Sequence, residues 1–543
     1  TSISDVMRLL PTMALMAAVP SAVSALVAGN RGGNAAVRQL LSRPARVRAH
    51  HVRVARPSLG ASSWAPVDTC SSNNRCCISE GSRASALHFS ALADGATSPR
   101  VSTKSSLALQ SFSDDDSREK IVLWRGESAA GYSFQFRHQE LSNSIAAAFG
   151  LSDAPTLSCN GMLKYDGGRE LSERELKGIE GAMELISNAD GSPISKAWLR
   201  QATERSSLIR ECYEVVAKAD TYEELAKLAL ESGALDDVLS GGENQDATWR
   251  LRLRQYGSTS TNDRGRRYGK NIRSPIRAEK QAIQGMAELF IRFKGRVDLM
   301  NPDCGLYLFE GTKEGQGQIV LVRTIAKGPK ISRIAPKTRI CITNTPLEPI
   351  AAYNLCNFAR VSDDRTVLDT YAGSCATLLA AASLAPNSTT VGIEIALKKF
   401  VKKEDIIEDF TSRNLKVPNA IIRGDSMDRD IRDRARKAIG GEPFDCIVTD
   451  PPYGVREKAG DDSLPPLVQL FQAIVEDRDA GTPLIKVGGR LTAFVPVSPG
   501  QSLTDGLPDD DLVERAGMEL TDTIEQPLNY QLARWLVAYT CVR

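Results

Sequence analysis

The sequence predicts an α/β protein whose C-terminal part, residues 326–543, is a doubly wound, Rossmann-like domain. Before it lies an α+β region, 119–325, and before that an extension, 1–118, of different composition. Three observations carry this reading. From Thr366 onward, short apolar runs alternate with helical stretches, the pattern of βαβ units on a parallel sheet. Between Lys120 and Phe293, strand-like and helix-like spacings mix without a repeating unit. Residues 1–103 contain no lysine, many arginines and only the acids Asp5, Asp68, Glu80 and Asp94, so a net charge of +2 hides a local asymmetry.

In the extension, Leu9 to Val27 is apolar behind Arg8 and resembles a signal-peptide core, but Pro11 and Pro20 interrupt it, and no membrane span is expected. Arg31 to Arg100 has the Arg, Ser and Ala bias of an organellar transit segment. Two readings stay open, a cytoplasmic protein with a disordered extension or import into an organelle. Eleven cysteines without a C-x-x-C spacing predict reduced intracellular thiols and no metal module. All four histidines lie at or before His138, which excludes a Ser-His-Asp hydrolase and histidine metal sites from the C-terminal part.

In the middle region, Ile121 to Trp124 reads as a strand and Glu140 to Phe149 as a short amphipathic helix. Helical spacing is expected over Ser206 to Ala217, Thr221 to Ser232 and Arg277 to Phe293, with strand alternation over Thr248 to Tyr256. Basic residues crowd the stretch from Arg250 to Lys280, including Arg252, Arg254, Arg264, Arg266, Arg267, Lys270 and Arg273. Such a run is either a phosphate-binding surface, with Arg264, Arg266, Arg267 and Lys270 as candidates, or a solvated face.

In the C-terminal domain, strands are expected at Thr366 to Asp369, Val391 to Glu394, Ala420 to Arg423, Phe444 to Asp450 and Arg490 to Pro496. Two final runs, Met518 to Glu525 and Ala533 to Cys541, can close the sheet edge antiparallel. The first strand ends in Asp369 and turns through Tyr371 and Gly373 into the apolar helix Cys375 to Leu384. Ligands of open α/β sheets sit at such carboxyl edges, where glycine lets the backbone approach and a helix N-terminus favours negative charge. Glu394, ending the second strand, is placed to accept ribose hydroxyls. Asp425 with Ser426, after the third, are placed to read an adenine ring. A lone acid at a strand end is as readily a cap or turn residue.

The run Asp450-Pro451-Pro452-Tyr453 follows the apolar strand Cys446 to Thr449, and chance gives such a string in roughly a few per thousand chains of this length. Proline-rigid turns end many strands, but that does not explain a flanking acid and aromatic. An exocyclic amine on a purine is a poor nucleophile because its lone pair is delocalised into the ring. Asp450 and the carbonyl of Pro451 can accept its two N–H bonds, Pro452 helps fix the direction, and Tyr453 can stack on the base. The base must be unstacked to reach such a pocket. The expected cofactor is S-adenosylmethionine, and no metal is required.

These residues, with the following Gly454-Val455-Arg456-Glu457-Lys458, Glu525-Gln526-Pro527-Leu528 and Arg534-Trp535-Leu536, resemble the THUMP-domain tRNA (guanine-10-N2)-methyltransferases of eukaryotes and archaea. Tyr222-Glu223-Glu224-Leu225, Gly295 to Pro302 and Thr345 to Pro349 are similar to the same family, so the resemblance runs from about residue 121 to the C-terminus. It implies a class I methyltransferase domain preceded by a ferredoxin-like domain and a THUMP module that grips tRNA. It also implies a small zinc-binding activator subunit as partner. Asp369, Tyr371, Gly373, Glu394, Asp425 and Ser426 then serve the cofactor, Asp450 to Tyr453 catalysis, and Arg456 and Lys458 the RNA. Where the family has D-P-F-x-G-T-G-S, this chain has Asp369-Thr370-Tyr371-Ala372-Gly373-Ser374-Cys375-Ala376, one proline and one glycine fewer, and an altered cofactor affinity is expected. The same motif on adenine or a glutamine amide, and an RNA-binding scaffold without catalysis, are the alternatives.

Overall fold

The computed structural model describes residues 117–125, 131–162, 183–255, 275–312, 318–343, 346–396, 401–453, 464–497, 501–529 and 532–543. The apolar run at 9–27, the Arg-rich segment at 31–100 and the basic residues Arg264, Arg266, Arg267, Lys270, Arg456 and Lys458 lie outside the described residues. Among the described residues no helix is long and apolar enough to cross a membrane.

Two seven-stranded sheets organise the chain. The first is built from β1 (Lys120–Trp124), β2 (Leu157–Gly161), β3 (Met183–Asn188), β4 (Ile209–Ala219), β5 (Trp249–Gln255), β6 (Cys304–Glu310) and β7 (Ile319–Lys327), in the order β2-β3-β1-β4-β7-β6-β5. All its pairings are antiparallel except β5 with β6. Its helices are α1 (Arg137–Phe149), α2 (Lys196–Arg205), α3 (Tyr222–Glu231), α4 (Pro275–Gly285) and α5 (Ala287–Phe290). Thr221 caps α3 by accepting the Glu224 N–H, as its residue type favours.

One expectation fails here. Ser206 to Ala217 is not helical, because Ile209–Ala219 is a central strand between β1 and β7, buried along nearly its whole length. A strand covered on both faces shows no alternation, and its charged positions mimic a helical stripe. The tertiary fold neutralises those charges: Glu214 takes Lys196 at 2.8 Å, and Glu211 accepts the hydroxyls of Tyr213 and Tyr307. The expected helix at 277–293 is broken at Met286 into α4 and α5.

The second sheet has the order β10-β9-β8-β11-β12-β14-β13, from β8 (Thr366–Asp369), β9 (Thr389–Glu394), β10 (Ala420–Arg423), β11 (Phe444–Thr449), β12 (Ile485–Val497), β13 (Met518–Asn529) and β14 (Leu532–Cys541). The first five strands run parallel and β14 is antiparallel to both neighbours. Helices α6 (Pro349–Phe358), α7 (Ala376–Leu384), α8 (Lys403–Thr411), α9 (Arg429–Lys437), α10 (Pro466–Asp479) and α11 (Asp510–Ala516) accompany it. Crossover helices pack on both faces, as parallel strands with right-handed connections require. This is the doubly wound, Rossmann-like arrangement expected from the sequence. The last strand inserts between β12 and β13, so the terminal segment lies inside the sheet.

The halves meet through buried polar groups. Glu140 on α1 accepts the Ser206 and Ser207 hydroxyls, the amides of Ser207 and Leu208, and the Asn357 side chain from α6. Arg205 reaches the carbonyl of Val361 at 2.5 Å.

Candidate active site

The carboxyl edge of the second sheet brings together the residues singled out at the ends of β8, β9, β10 and β11. Asp369 is 1 % exposed. Its carboxylate accepts the Tyr371 N–H at 3.0 Å, the Thr449 hydroxyl at 3.1 Å and the Thr377 hydroxyl from the first turn of α7. Burial nevertheless outweighs these donors and pushes its pKa up to about 7. The neighbouring Thr370 and Thr449 hydroxyls meet at 3.1 Å, so the turn after β8 and the elbow after β11 are directly joined.

Because the folded pKa of Asp369 lies above its unfolded value, the folded state binds an extra proton between the two. That contribution to stability is complete below about pH 4 and is lost as pH rises through about 7. We expect Asp369→Asn to remove a pH-dependent loss of stability on the order of a few kcal/mol over this window, read from denaturation midpoints at several pH values. An Asn variant whose stability falls with pH as steeply as the parent's would contradict this.

Gly373 has φ +50°, and a Cβ there would meet only the Thr343 methyl at 3.8 Å. Its amide donates to Glu394 at 2.8 Å, and the other Glu394 oxygen accepts the Ala396 amide at 2.7 Å. Glu394 thus ties the glycine turn to the end of β9 while keeping further acceptor capacity on both oxygens. Asp425 is exposed and accepts the Met427 amide at 2.9 Å, a turn-stabilising bond. Buried Ser426 bonds the phenol of Tyr371, which burial raises to about 12. The helix after the turn begins at Ala376 rather than Cys375. Cys375 stands at φ +62° where the resembled motif has glycine, a conformation costing an L-residue roughly 1–2 kcal/mol.

At the elbow, Pro451 is buried and Asp450, Pro452 and Tyr453 are half-buried. The Tyr453 hydroxyl donates to Asp450 Oδ1 at 2.5 Å and accepts from Arg534 Nη1 at 2.8 Å. Burial raises the Asp450 carboxyl, with the Arg534 cation and the Tyr453 hydroxyl opposing it. Beside Pro451 opens a pocket of about 160 Å³ lined by Pro466, Phe494, Pro496, Ser502 and Asp505 among others.

Sequence reasoning missed Thr377 and Thr449, which are invisible until β8, β11 and α7 converge. It quoted Gln526 and Arg534 only as matching residues, without a role. Three other members of the basic run, which are not among the phosphate candidates, have internal partners: Arg250, 8 % exposed, bonds the Leu299 carbonyl and Tyr307, Arg252 pairs with Glu279, and Arg254 lies 3.9 Å from Glu211. Partners on β4, β6, α4 and the loop before β6 take up these charges.

No family model matches the chain. It is similar to tRNA (guanine(10)-N(2))-methyltransferase TRMT11 of Xenopus laevis, 22 % identical over 386 residues, covering 64 % of this chain and 75 % of that protein. The Gallus gallus protein of the same name is 26 % identical over 236 residues, covering 39 % of this chain and 46 % of its own length. Among solved structures, TrmN from Thermus thermophilus aligns with 16 % identity and a TM-score of 0.36, covering 78 % of this chain and 99 % of that one. The chain is thus a distant homologue of proteins named as tRNA methyltransferases.

Proposed function

We propose that the chain transfers a methyl group from S-adenosylmethionine to the exocyclic N2 amine of a guanine in tRNA, with position 10 as the target. The observation that carries the reading is the junction of the Asp450 elbow to the Asp369–Gly373 turn through Thr449 and Thr370. The residues fit the cofactor: a glycine turn with open space above it, a carboxylate at the end of β9, and the Asp425–Ser426 turn after β10. Gly373 and the start of α7 would hold its carboxylate, Glu394 its ribose and the Asp425–Ser426 turn its adenine, and it supplies an electrophilic methyl group.

The elbow would then act on the nucleophile. Asp450 and the Pro451 carbonyl would accept the two N–H bonds of the flipped base and so restore electron density on its nitrogen; as that nitrogen takes the methyl group, whose bonding pair stays with sulfur, the Asp450 carboxylate would take the proton the nitrogen gives up. Tyr453 donates to Asp450 Oδ1, so Oδ2 is the oxygen that would meet the amine. The pocket beside Pro451 offers the base a partly apolar place. A THUMP-type module within the first half would grip the tRNA, and a zinc-binding activator subunit would cover part of the catalytic domain.

The test is incubation of the full chain, alone and with such a subunit, with unmodified tRNA and labelled cofactor. N2-methylguanine is the expected product; N6-methyladenine, or no product while cofactor binds, rejects the reading. A second expectation concerns the turn: Gly373→Ala adds left-handed strain of about 1–2 kcal/mol and a methyl group in the cradle, so the cofactor Kd should rise at least about tenfold by calorimetry. An unchanged Kd would remove Gly373 from the site.

A further inference from the structure

Arg534 lies on β14, paired in register with Pro496 on one side and Gln526 on the other. It is 5 % exposed. Its Nη1 donates to Tyr453, its Nε donates to Gln526 Oε1 at 2.7 Å, and its guanidinium stacks 3.9 Å from the Phe494 ring centre. Nη1 also stands 3.9 Å from Asp450 Oδ1. Gln526, 2 % exposed, passes the chain on: its Nε2 donates to the Ser133 hydroxyl at 2.8 Å. Ser133 is 1 % exposed and belongs to the 3-10 turn Gly131–Phe136 of the first half.

A buried chain of hydrogen bonds therefore runs from the first half, through β13 and β14, to the acid of the elbow. Stability alone does not call for it, since a buried cation costs several kcal/mol to desolvate and apolar side chains often replace such groups without loss. What an arginine supplies is a rigid fork that fixes two acceptors at once. Here they are the Tyr453 hydroxyl and the Gln526 amide.

We propose that Arg534 is the positioning residue for Asp450 and Tyr453, and that the Ser133–Gln526 bond makes its setting depend on how the first half is docked. This rests on the methyl-transfer reading above. The elbow is thus held from outside its own loop by β14, which is backed in turn by β13 and the Ser133 turn, and disturbing Ser133 reaches the acid without touching the cofactor turn.

Among the described residues, the titratable groups facing Asp450 are Tyr453 from its own loop, Arg534 from β14 and Asp369 from the end of β8, and Asp505 lines the pocket beside Pro451. Removing Arg534 takes away the cation that opposes burial of the Asp450 carboxyl, so the acid limb of activity moves to higher pH. The experiment compares the full chain with Arg534→Met, Arg534→Lys and Ser133→Ala, with the activator subunit present. It reads kcat against pH, cofactor Kd, and hydrogen–deuterium exchange of the segment 446–453. Arg534→Met should lower kcat about ten- to a hundredfold, leave cofactor Kd unchanged and raise the acid limb by about one pH unit. Arg534→Lys should keep the acid limb in place, since the charge remains, while losing kcat because an ammonium cannot hold both acceptors. Ser133→Ala should leave the pH profile alone, lower kcat several-fold and speed exchange at the elbow.

A parent-like acid limb in Arg534→Met, or parent-like exchange in both Arg534→Met and Ser133→Ala, overturns the proposal. If the parent chain forms no methylguanine, the methyl-transfer reading fails and exchange alone decides the coupling. If Arg534→Met does not fold, Arg534→Lys and Ser133→Ala decide it.

Discussion

Asp450→Ala should lower turnover by about 10²–10⁴-fold while leaving cofactor affinity within a few-fold of the parent. The asymmetry follows from where the carboxylate points. Asp450 belongs to the elbow after β11 and bonds Tyr453, whereas the cofactor turn is held by Asp369, Gly373 and Glu394. Asp450→Asn should be milder, because an amide oxygen still accepts one N–H but carries no charge to take the departing proton. In the parent chain, activity should fall on the acid side at a pH above the ordinary carboxylate range, since burial raises this group and the ionised form is the one that accepts. Single-turnover rates with saturating cofactor measure the first effect, and the pH profile of kcat the second. A variant turning over within threefold of the parent would take Asp450 out of the chemistry.

The second large effect concerns the junction of the two halves. Glu140 is 0 % exposed, and burial holds its pKa above the usual range against all its donors. Glu140→Ala removes an acceptor from five donors, two serine hydroxyls, two amides and the Asn357 side chain, of which the Leu208 amide and the Asn357 side chain keep longer bonds to Ser206 Oγ and the Arg205 carbonyl. An unpaired buried donor costs about 1–3 kcal/mol, and partial rearrangement or water entry recovers some of the sum. We expect a loss of about 3–5 kcal/mol, read as a shift in the denaturant midpoint of the first unfolding transition. Glu140→Gln keeps one acceptor oxygen but turns an NH₂ toward the same donors, and should lose roughly half as much. A midpoint unchanged in Glu140→Ala would mean that these groups find water or other partners without cost.

Much of the second sheet could be read directly from the chain. The runs at 366–369, 420–423 and 444–449 coincide with strands because parallel strands buried on both faces read as continuous apolar runs. The first half was less legible for the same physical reason acting in reverse. β4 is equally buried but carries Arg210, Glu211 and Glu214, which only tertiary partners make tolerable, so its pattern imitates a helix. The strands β6 and β7 went unrecognised, although they are the neighbours against which β4 and β5 form their ladders.

What the sequence determined by itself was local: the alternation that builds the parallel sheet, the glycine turn after β8, and the Asp-Pro-Pro-Tyr elbow with its fixed φ angles. Those features depend on residues a few positions apart, so their physics is written in the chain. Only the tertiary structure decided which distant groups complete them. Thr377 and Thr449 close on Asp369, Glu394 holds the Gly373 amide, and Ser133 reaches Asp450 through Gln526, Arg534 and Tyr453. Apart from the Tyr453–Asp450 bond within the elbow, each of these bonds joins residues from separate strands, helices or turns. Their energy comes from burial in a shared low-dielectric interior, a property of the packed fold that no single stretch of sequence contains.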